Sequence, residues 1–289
     1  MIVALIKTLR PRQWVKNLFV AVPLFFALRL FDQVAVVRTL AGVALFCLIS
    51  GCVYVLNDIV DAPQDRLHPR KRTRPIASGK LPIGVAKTFL LVAVPACAAA
   101  AFLLSPQYAA VLTTYFVLNI AYSFRLKKIA YLDVLSIATF FILRVLAGAF
   151  ATEVTASHWL LACTFFLAMF LGFGKRAHEL AGSEEADKQR AALASYDLRS
   201  LRLIMMVLAA LVVVVYALYT RSEGTIATFG TAALIWTVPF PLLGIARFTH
   251  LATTRHDAES PTEEMLKDPV FIGICVAYLA VTGAILYWA

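Results

Sequence analysis

A polar segment interrupts an otherwise apolar chain at Asn57–Gly79, where the sequence reads NDIVDAPQDRLHPRKRTRPIASG. On a helix, Asn57, Asp61 and Asp65 would project from one face, because they are spaced four residues apart. Carboxylates this close repel one another unless a cation lies among them, and an all-oxygen donor set suits Mg²⁺. The segment therefore predicts a magnesium site formed by Asn57, Asp58, Asp61 and Asp65, with the three aspartates as catalytic residues.

The second half of this segment is strongly basic and includes Arg70, Lys71 and Arg74. Pro63 is expected to end or bend the helix before it, so that Asp65 would reach back from a loop. Acidic metal ligands beside Arg and Lys suit a polyphosphate, because Mg²⁺ binds some of its oxygens and the cations bind the others. A basic anchor for anionic lipid headgroups is the alternative, and it explains the charge but not its adjacency to the aspartates.

The rest of the chain has the composition of an integral membrane protein. Of its 289 residues, 61% are hydrophobic and 15% are charged, and the mean hydropathy is +0.80. Soluble domains carry about 25% charged residues, so a soluble protein, a disordered chain and a fibrous repeat are excluded. The five cysteines lie singly in apolar segments, which favours buried thiols over a disulfide framework or a metal site.

Nine apolar segments are candidates for helices that cross a bilayer. They are Gln13–Ala27, Val34–Val60, Pro82–Leu104, Tyr108–Phe124, Tyr131–Thr152, His158–Gly174, Leu201–Thr220, Thr225–Phe248 and Val270–Trp288. The runs are continuous rather than alternating, which argues against membrane-spanning strands. The sequence therefore predicts an all-α bundle of nine transmembrane helices in a single domain over residues 1–289.

The basic residues indicate how these helices are oriented. The net charge is +10, from 27 basic and 17 acidic residues, and cytoplasmic loops of membrane proteins are enriched in Lys and Arg. The basic residues fall on one set of alternate loops, except for Arg29, Arg38 and Arg221 on the other side and Arg144 within a span. This pattern predicts a multi-pass protein of the inner (plasma) membrane, with a cytoplasmic N-terminus, an external C-terminus and a site at the cytoplasmic face. It accounts for the positive charge without a nucleic-acid partner.

The segment Asn57–Gly79 resembles the first aspartate-rich motif of the UbiA superfamily of intramembrane prenyltransferases, where NDxxDxxxD precedes a basic R/K-x-R-P element. That superfamily has nine helices, a cytoplasmic active site and an N-terminus inside the cell, so the resemblance covers the whole chain. Its aromatic prenyltransferases carry a second aspartate motif after the sixth helix. At the matching place this chain has Lys175 and Arg176, followed by acidic residues at a different spacing.

Other segments resemble the branch of this superfamily that transfers a phosphoribosyl group to decaprenyl phosphate. They are LRPRQWVKN at 9–17, YSFRLKK at 122–128, LD at 132–133, LRVLAG at 143–148 and SY at 195–196. The resemblance implies a phosphoribosyl pyrophosphate donor, a polyprenyl phosphate acceptor and Mg²⁺. A donor with an additional 5-phosphate requires more cationic contacts, which fits the basic residues at 175–176. The implied substrate-binding residues are Lys16, Asn17, Arg70, Lys71, Arg74, Tyr122, Lys127, Lys128, Asp133, Lys175 and Arg176.

Two charged residues lie within the fifth predicted span. Asp133 and Arg144 are about three helical turns apart and share a face of it. Asp133 is expected to contact the ribose or the metal, whereas a structural hydrogen-bonding role is at least as well supported for Arg144.

Two other functions stay open at this stage. One is an aromatic prenyltransferase with an isoprenyl diphosphate donor, which the missing second aspartate motif disfavours. The other is a transporter or lipid-binding protein without catalysis. Transporters place polar residues near the bilayer midplane, whereas here they gather at one face of the membrane. A homo-oligomer also stays open.

Overall fold

The computed structural model describes residues 1–69, 71–181, 193–254 and 261–288, and within these ranges it contains helices and no β-strand. The prediction of an all-α protein is confirmed for this part of the chain. The α-helices are α1 (Ile2–Thr8), α2 (Val22–Phe26), α3 (Gln33–Leu67), α4 (Ile83–Leu104), α5 (Pro106–Phe124), α6 (Leu132–Thr152), α7 (His158–Ala181), α8 (Leu198–Arg221), α9 (Glu223–Phe229), α10 (Pro239–Thr254), α11 (Pro261–Met265) and α12 (Pro269–Trp288). Segments of 3₁₀ helix cover Pro11–Ala21, Lys71–Thr73, Leu126–Lys128, Leu193–Ser195 and Ala233–Thr237.

Among the described residues, 7 helical segments are long and apolar enough to cross a membrane. They are α3, α4, α6, α7, α8, the segment Ala233–Thr254 and α12. The protein is therefore a multi-pass membrane protein. Each of these segments overlaps one of the predicted spans.

The two remaining predicted spans are helical but do not meet the same criterion. In Gln13–Ala27 the chain forms the 3₁₀ helix Pro11–Ala21 and then the short α2, with proline in the first turn of each. In Tyr108–Phe124 the chain forms α5, whose polar side chains include Asn119. Polar residues and proline lower the apolar character or the regularity of these segments without preventing helix formation.

The predicted span Thr225–Phe248 is broken in the structure. Helix α9 ends at Phe229, and the next residue, Gly230, has a φ of 69° in the left-handed region that favours glycine. The chain then forms the 3₁₀ segment Ala233–Thr237 and α10, which begins at Pro239. The apolar pattern predicted the membrane segment but not this break.

The chain divides into two compact units. The first comprises Met1–Phe124 and Ile142–Ala156, and the second comprises Arg125–Phe141 and Ser157–Ala289. Helix α6 contributes residues to both. The expectation of a single domain over 1–289 stays a prediction.

Close packing in the first unit depends on Gly148. A Cβ atom at this position would lie 2.0 Å from the carbonyl oxygen of Val20, so the backbone of α6 meets the 3₁₀ helix directly. Gly42 gives similar access to Tyr108, whose hydroxyl donates to the Gly42 carbonyl oxygen at 2.7 Å. Small residues permit such close approach between helices in membranes. This packing holds the N-terminal segment against α6.

Aromatic side chains form much of the core of the second unit. The Phe170 and Phe248 rings lie 5.3 Å apart between α7 and α10, and Phe173 contacts Tyr196 with centroids 6.3 Å apart. Edge-to-face arrangements of this kind are favoured by the ring quadrupoles. They hold Tyr196, which follows the 3₁₀ segment Leu193–Ser195, against α7.

The end of α3 differs from the sequence-based expectation. Pro63 lies inside the helix, which continues to Leu67, so the prediction that Asp65 reaches back from a loop is wrong. Proline removes a single backbone hydrogen bond at this point, and the Pro63 side chain is exposed. The ion pair between Asp65 and Arg74 ties the last turn of the helix to the following loop.

Candidate active site

The aspartate motif occupies the last turns of α3 in the first unit. Asp58 and Asp65 are seven residues apart, about two helical turns, and both are buried. Asn57 and Asp61 lie on the same helix and are partly exposed. Two buried carboxylates on one helix face require compensating positive charge, since an unpaired buried charge is costly.

Arg74 supplies part of that charge from the loop after α3. Its Nη1 lies 2.7 Å from Asp65 Oδ2 and 3.4 Å from Asp58 Oδ1. One guanidinium nitrogen therefore contacts both carboxylates. The backbone N–H of Arg74 donates to the nearby Lys71 carbonyl oxygen at 3.0 Å, so the loop is compact at this point.

Arg10 is the second cation at the motif, and it is not among the site residues predicted from the sequence. Its Nη2 lies 2.7 Å from Asp58 Oδ1, the same oxygen that Arg74 approaches. The guanidinium lies over the Tyr54 ring, 4.8 Å from its centroid. Arg10 has a φ of 53° and joins α1 to the 3₁₀ helix. The only indication of this role in the sequence was that Arg10 belongs to the basic segment 9–17.

The three predicted metal-binding carboxylates do not converge in this structure. Among the described residues, no group of three or more His, Cys, Asp and Glu side chains is arranged to hold a metal ion. Asp58 and Asp65 face arginines instead, as the distances above show. The donor set still suits a hard cation, because the three aspartates offer carboxylate oxygens and one oxygen each of Asp58 and Asp65 faces the same cationic nitrogen.

A second polar cluster lies in the other unit, where α6 and α7 contribute one residue each. Arg176 Nε lies 2.7 Å from Asp133 Oδ2, and both side chains are almost fully buried. The Arg176 guanidinium also forms an ion pair with Glu179 one turn further along α7. The structure thus brings together two predicted site residues. Asp133 was predicted to contact the ribose or the metal, and Arg176 was predicted to contact phosphate.

Tyr196 completes this second cluster. Its hydroxyl donates to Asp133 Oδ1 at 2.6 Å and accepts from the Tyr131 backbone N–H at 2.6 Å. Burial, and then the hydrogen bond to Asp133, raise the pKa of Tyr196 well above its ordinary value. The hydroxyl therefore stays protonated as a donor to the carboxylate at neutral pH.

Arg144 and Asn17 form a buried network in the first unit. Arg144 Nε donates to Asn17 Oδ1 at 2.9 Å, and its Nη2 donates to the Tyr115 hydroxyl at 2.9 Å. Asn17 in turn donates to Ser50 Oγ at 3.1 Å. Asn17 is 1% exposed. This geometry agrees with a structural hydrogen-bonding role for Arg144. Asn17, which was predicted to bind substrate, accepts a hydrogen bond from Arg144.

The other predicted substrate-binding residues lie near helix ends and loops. Lys16 donates to the Gln13 side chain at 2.6 Å, and Lys175 Nζ is 3.9 Å from Glu179 Oε1. Lys71 and Lys128 are exposed, and Lys127 and Tyr122 are partly buried. Arg70 lies outside the described residues.

Comparison with known proteins identifies the family. The sequence profile described as the UbiA prenyltransferase family matches residues 17–267. A decaprenyl-phosphate phosphoribosyltransferase from Mycobacterium tuberculosis is 32% identical, over 98% of this chain and 94% of the relative. A protein of the same name from Corynebacterium glutamicum is 33% identical, over 95% of this chain and 84% of the relative.

The fold is similar to that of solved structures. A UbiA homolog from Archaeoglobus fulgidus bound to GPP and Mg²⁺ aligns with a TM-score of 0.73 at 16% sequence identity, covering 98% of this chain and 99% of that chain. This likeness concerns the fold, and the profile match over most of the sequence supports it independently. The chain belongs to the UbiA prenyltransferase family.

Proposed function

We propose that this protein transfers the 5-phosphoribosyl group from phosphoribosyl pyrophosphate to a polyprenyl phosphate of the decaprenyl type. The observation that carries the proposal is the pairing of two buried carboxylates, Asp58 and Asp65, with the guanidinium groups of Arg10 and Arg74. Such a mixed site suits a diphosphate that arrives with a divalent cation. Relatives named for this transfer align over nearly the whole chain, which supports the same activity here.

The reaction exchanges one bond at the ribose for another. A phosphate oxygen of the lipid forms a bond to C1 of the ribose, the bond from C1 to the diphosphate oxygen breaks, and pyrophosphate leaves with the electron pair. The attacking phosphate is already anionic at neutral pH, so the protein needs no general base. The task of the site is therefore to position two anionic substrates and to stabilise the leaving group.

Mg²⁺ is the cofactor we propose, with Asn57, Asp58, Asp61 and Asp65 as the residues that would hold it. All four offer oxygen donors, and a positively charged nitrogen already lies against two of their carboxylates, so the residues fit a hard cation. When bound, the ion would neutralise negative charge on the departing diphosphate.

Basic side chains would bind the remaining phosphate oxygens. We assign this role to the cationic residues of the set below, and ribose or headgroup contacts to its other polar residues. The proposed set is Lys16, Asn17, Arg70, Lys71, Arg74, Tyr122, Lys127, Lys128, Asp133, Lys175 and Arg176. Charge-assisted contacts of Lys and Arg to phosphate are strong enough to orient a polyanionic donor.

We also propose that the protein crosses the inner membrane nine times as one domain, with the N-terminus in the cytoplasm and the C-terminus outside. Within the first unit, contacts of Arg29 and Arg38 support this orientation. Arg29 donates to the Thr152 carbonyl oxygen, and Arg38 donates to those of Ala151 and Leu104. Arg29 and Arg38, two of the exceptions to the charge pattern, therefore bind carbonyl groups at the C-terminal ends of α4 and α6, close to the start of α3. The aspartates and the basic loop lie at the other end of α3.

The decisive experiment uses the purified protein in lipid nanodiscs with labelled phosphoribosyl pyrophosphate and polyprenyl phosphate, with and without Mg²⁺. We expect Mg²⁺-dependent appearance of label in the lipid fraction. Transfer from an isoprenyl diphosphate to an aromatic acid, with none from phosphoribosyl pyrophosphate, would instead identify an aromatic prenyltransferase. Absence of both reactions would favour a lipid-binding or transport function.

A further inference from the structure

A guanidinium nitrogen lies between the two buried carboxylates at the end of α3. Arg74 Nη1 is 2.7 Å from Asp65 Oδ2 and 3.4 Å from Asp58 Oδ1. A Mg²⁺ ion bound by both carboxylates would need each oxygen about 2.1 Å away. No space would then remain for a nitrogen between the same oxygens. Arg74 in this position and a metal ion bound to these same two oxygens are therefore mutually exclusive.

Arg10 reinforces this arrangement from the N-terminal segment. Its Nη2 lies 2.7 Å from the Asp58 Oδ1 atom that also faces Arg74. Asp58 and Asp65 are 3% and 4% exposed, so neither carboxylate can rely on water alone for its solvation. The two arginines keep the pair compensated when no other cation is present.

The two arginines are more accessible than the carboxylates that they contact. Their side chains are 34% and 29% exposed for Arg10 and Arg74, respectively. Arg74 belongs to a loop and Arg10 to a junction between two helices, so each can turn its guanidinium group without breaking a helix. Both are fork-shaped donors that bind phosphate oxygens in two places at once.

We propose that Arg10 and Arg74 are displaceable counter-charges, which the diphosphate of the donor draws away from Asp58 and Asp65 so that the metal ion enters with it. The inference rests on the proposed function, and it adds that binding of the metal ion and binding of the diphosphate favour each other. Metal alone must compete with two guanidinium groups for the carboxylates. Metal with diphosphate meets no such competition, because the phosphate oxygens become the new partners of the arginines.

The proposal predicts that loss of either arginine strengthens metal binding and weakens diphosphate binding. Both affinities are measured by equilibrium binding, without turnover. Mn²⁺ binding is measured by electron paramagnetic resonance on full-length protein in nanodiscs of neutral lipid. Arg74→Gln and Arg10→Gln should each bind Mn²⁺ alone about tenfold more tightly than wild type, because a competing charge is lost. The same variants should bind labelled pyrophosphate in the presence of Mn²⁺ about tenfold more weakly.

Arg72→Gln is the matched control, since it removes the same charge from the same exposed loop. It should change either affinity less than twofold. Arg74→Lys keeps the charge and should retain weak Mn²⁺ binding, which separates loss of charge from damage to the loop. If Arg74→Gln is poorly folded, Arg10→Gln and Arg74→Lys carry the test.

The outcomes distinguish this inference from the proposed function. Unchanged or weaker Mn²⁺ binding in both Gln variants, with Mn²⁺-dependent pyrophosphate binding in wild type, overturns the counter-charge role alone. Failure of wild type to bind Mn²⁺ even with pyrophosphate overturns the metal site and this inference together. Tighter Mn²⁺ binding combined with weaker pyrophosphate binding supports both.

Discussion

Asp133 and Arg176 form a buried ion pair, with 2.7 Å between Oδ2 and Nε and with side chains that are 1% and 2% exposed. The pair joins α6 to α7 within the second unit. Burial of both charges makes the pair sensitive to the removal of either partner, since the other would be left uncompensated. Arg176 therefore compensates the buried Asp133, in addition to the phosphate contact proposed for it.

Replacing Arg176 with Gln should destabilise the protein strongly. The change leaves Asp133 buried without its partner, at a typical cost of about 3–5 kcal/mol. The double variant Asp133→Asn with Arg176→Gln should recover much of that loss. Thermal unfolding of the purified protein measures both effects. A single variant as stable as wild type would show that the ion pair contributes nothing to stability.

Replacing Lys175 with Gln should affect substrate use and not stability. Lys175 is partly exposed and lies 3.9 Å from Glu179, which is itself partly exposed, so an ion pair of this kind contributes little to stability. One charge-assisted phosphate contact is worth about 1.5–3 kcal/mol, which corresponds to a roughly ten- to more than hundredfold lower kcat/KM for phosphoribosyl pyrophosphate. Steady-state transfer with either substrate varied measures this. Normal kinetics would mean that Lys175 contacts lipid headgroups.

Replacing Asp61 with Asn should abolish transfer without a large change in stability. Asp61 is partly exposed on α3, unlike Asp58 and Asp65, which are buried against arginines. Loss of one contact that stabilises a developing charge typically lowers the rate at least about 10²-fold. Transfer is assayed at limiting Mg²⁺, alongside thermal unfolding. Near-normal turnover would remove Asp61 from the proposed metal ligands.

Replacing Arg38 with Ala should lower stability but leave the chemistry of the remaining folded protein intact. Arg38 donates to the carbonyl oxygens of Leu104 and Ala151, at or near the ends of α4 and α6. Each hydrogen bond from a charged donor is worth about 1.5–3 kcal/mol. Glu153→Gln is the control, because the exposed Glu153 side chain pairs with the same arginine and surface ion pairs contribute about 0–1 kcal/mol. Equal stability of both variants would contradict the capping role.

The proposed topology predicts opposite sides for two accessible positions. The segment Ala62–Leu81 should be cytoplasmic, and a cysteine or reporter added after Ala289 should be external. Cysteine labelling in intact and permeabilised cells distinguishes the sides. Labelling of both positions from the same side would mean an even number of spans between them. That result would exclude the proposed C-terminal orientation.

Local sequence patterns predicted the helices better than they predicted the contacts of the site. Long apolar runs predict α3 and α8 because burial in lipid requires them, whereas the break at Gly230 depends on one left-handed residue. Arg10 was missed because its partner Asp58 is 48 residues away along the chain, and no periodicity links them. The convergence of Arg10 and Arg74 on one carboxylate is a property of the folded unit.

The buried network around Arg144 constrains how the protein enters the membrane. Inserting an arginine at the centre of a helix costs about 2.5–3.5 kcal/mol, and Arg144 lies well inside α6. Its partners Asn17 and Tyr115 are both synthesised before it and are held in the same unit. Insertion of α6 should thus depend on the N-terminal segment, which would act during biogenesis as an internal chaperone for a helix made more than a hundred residues later.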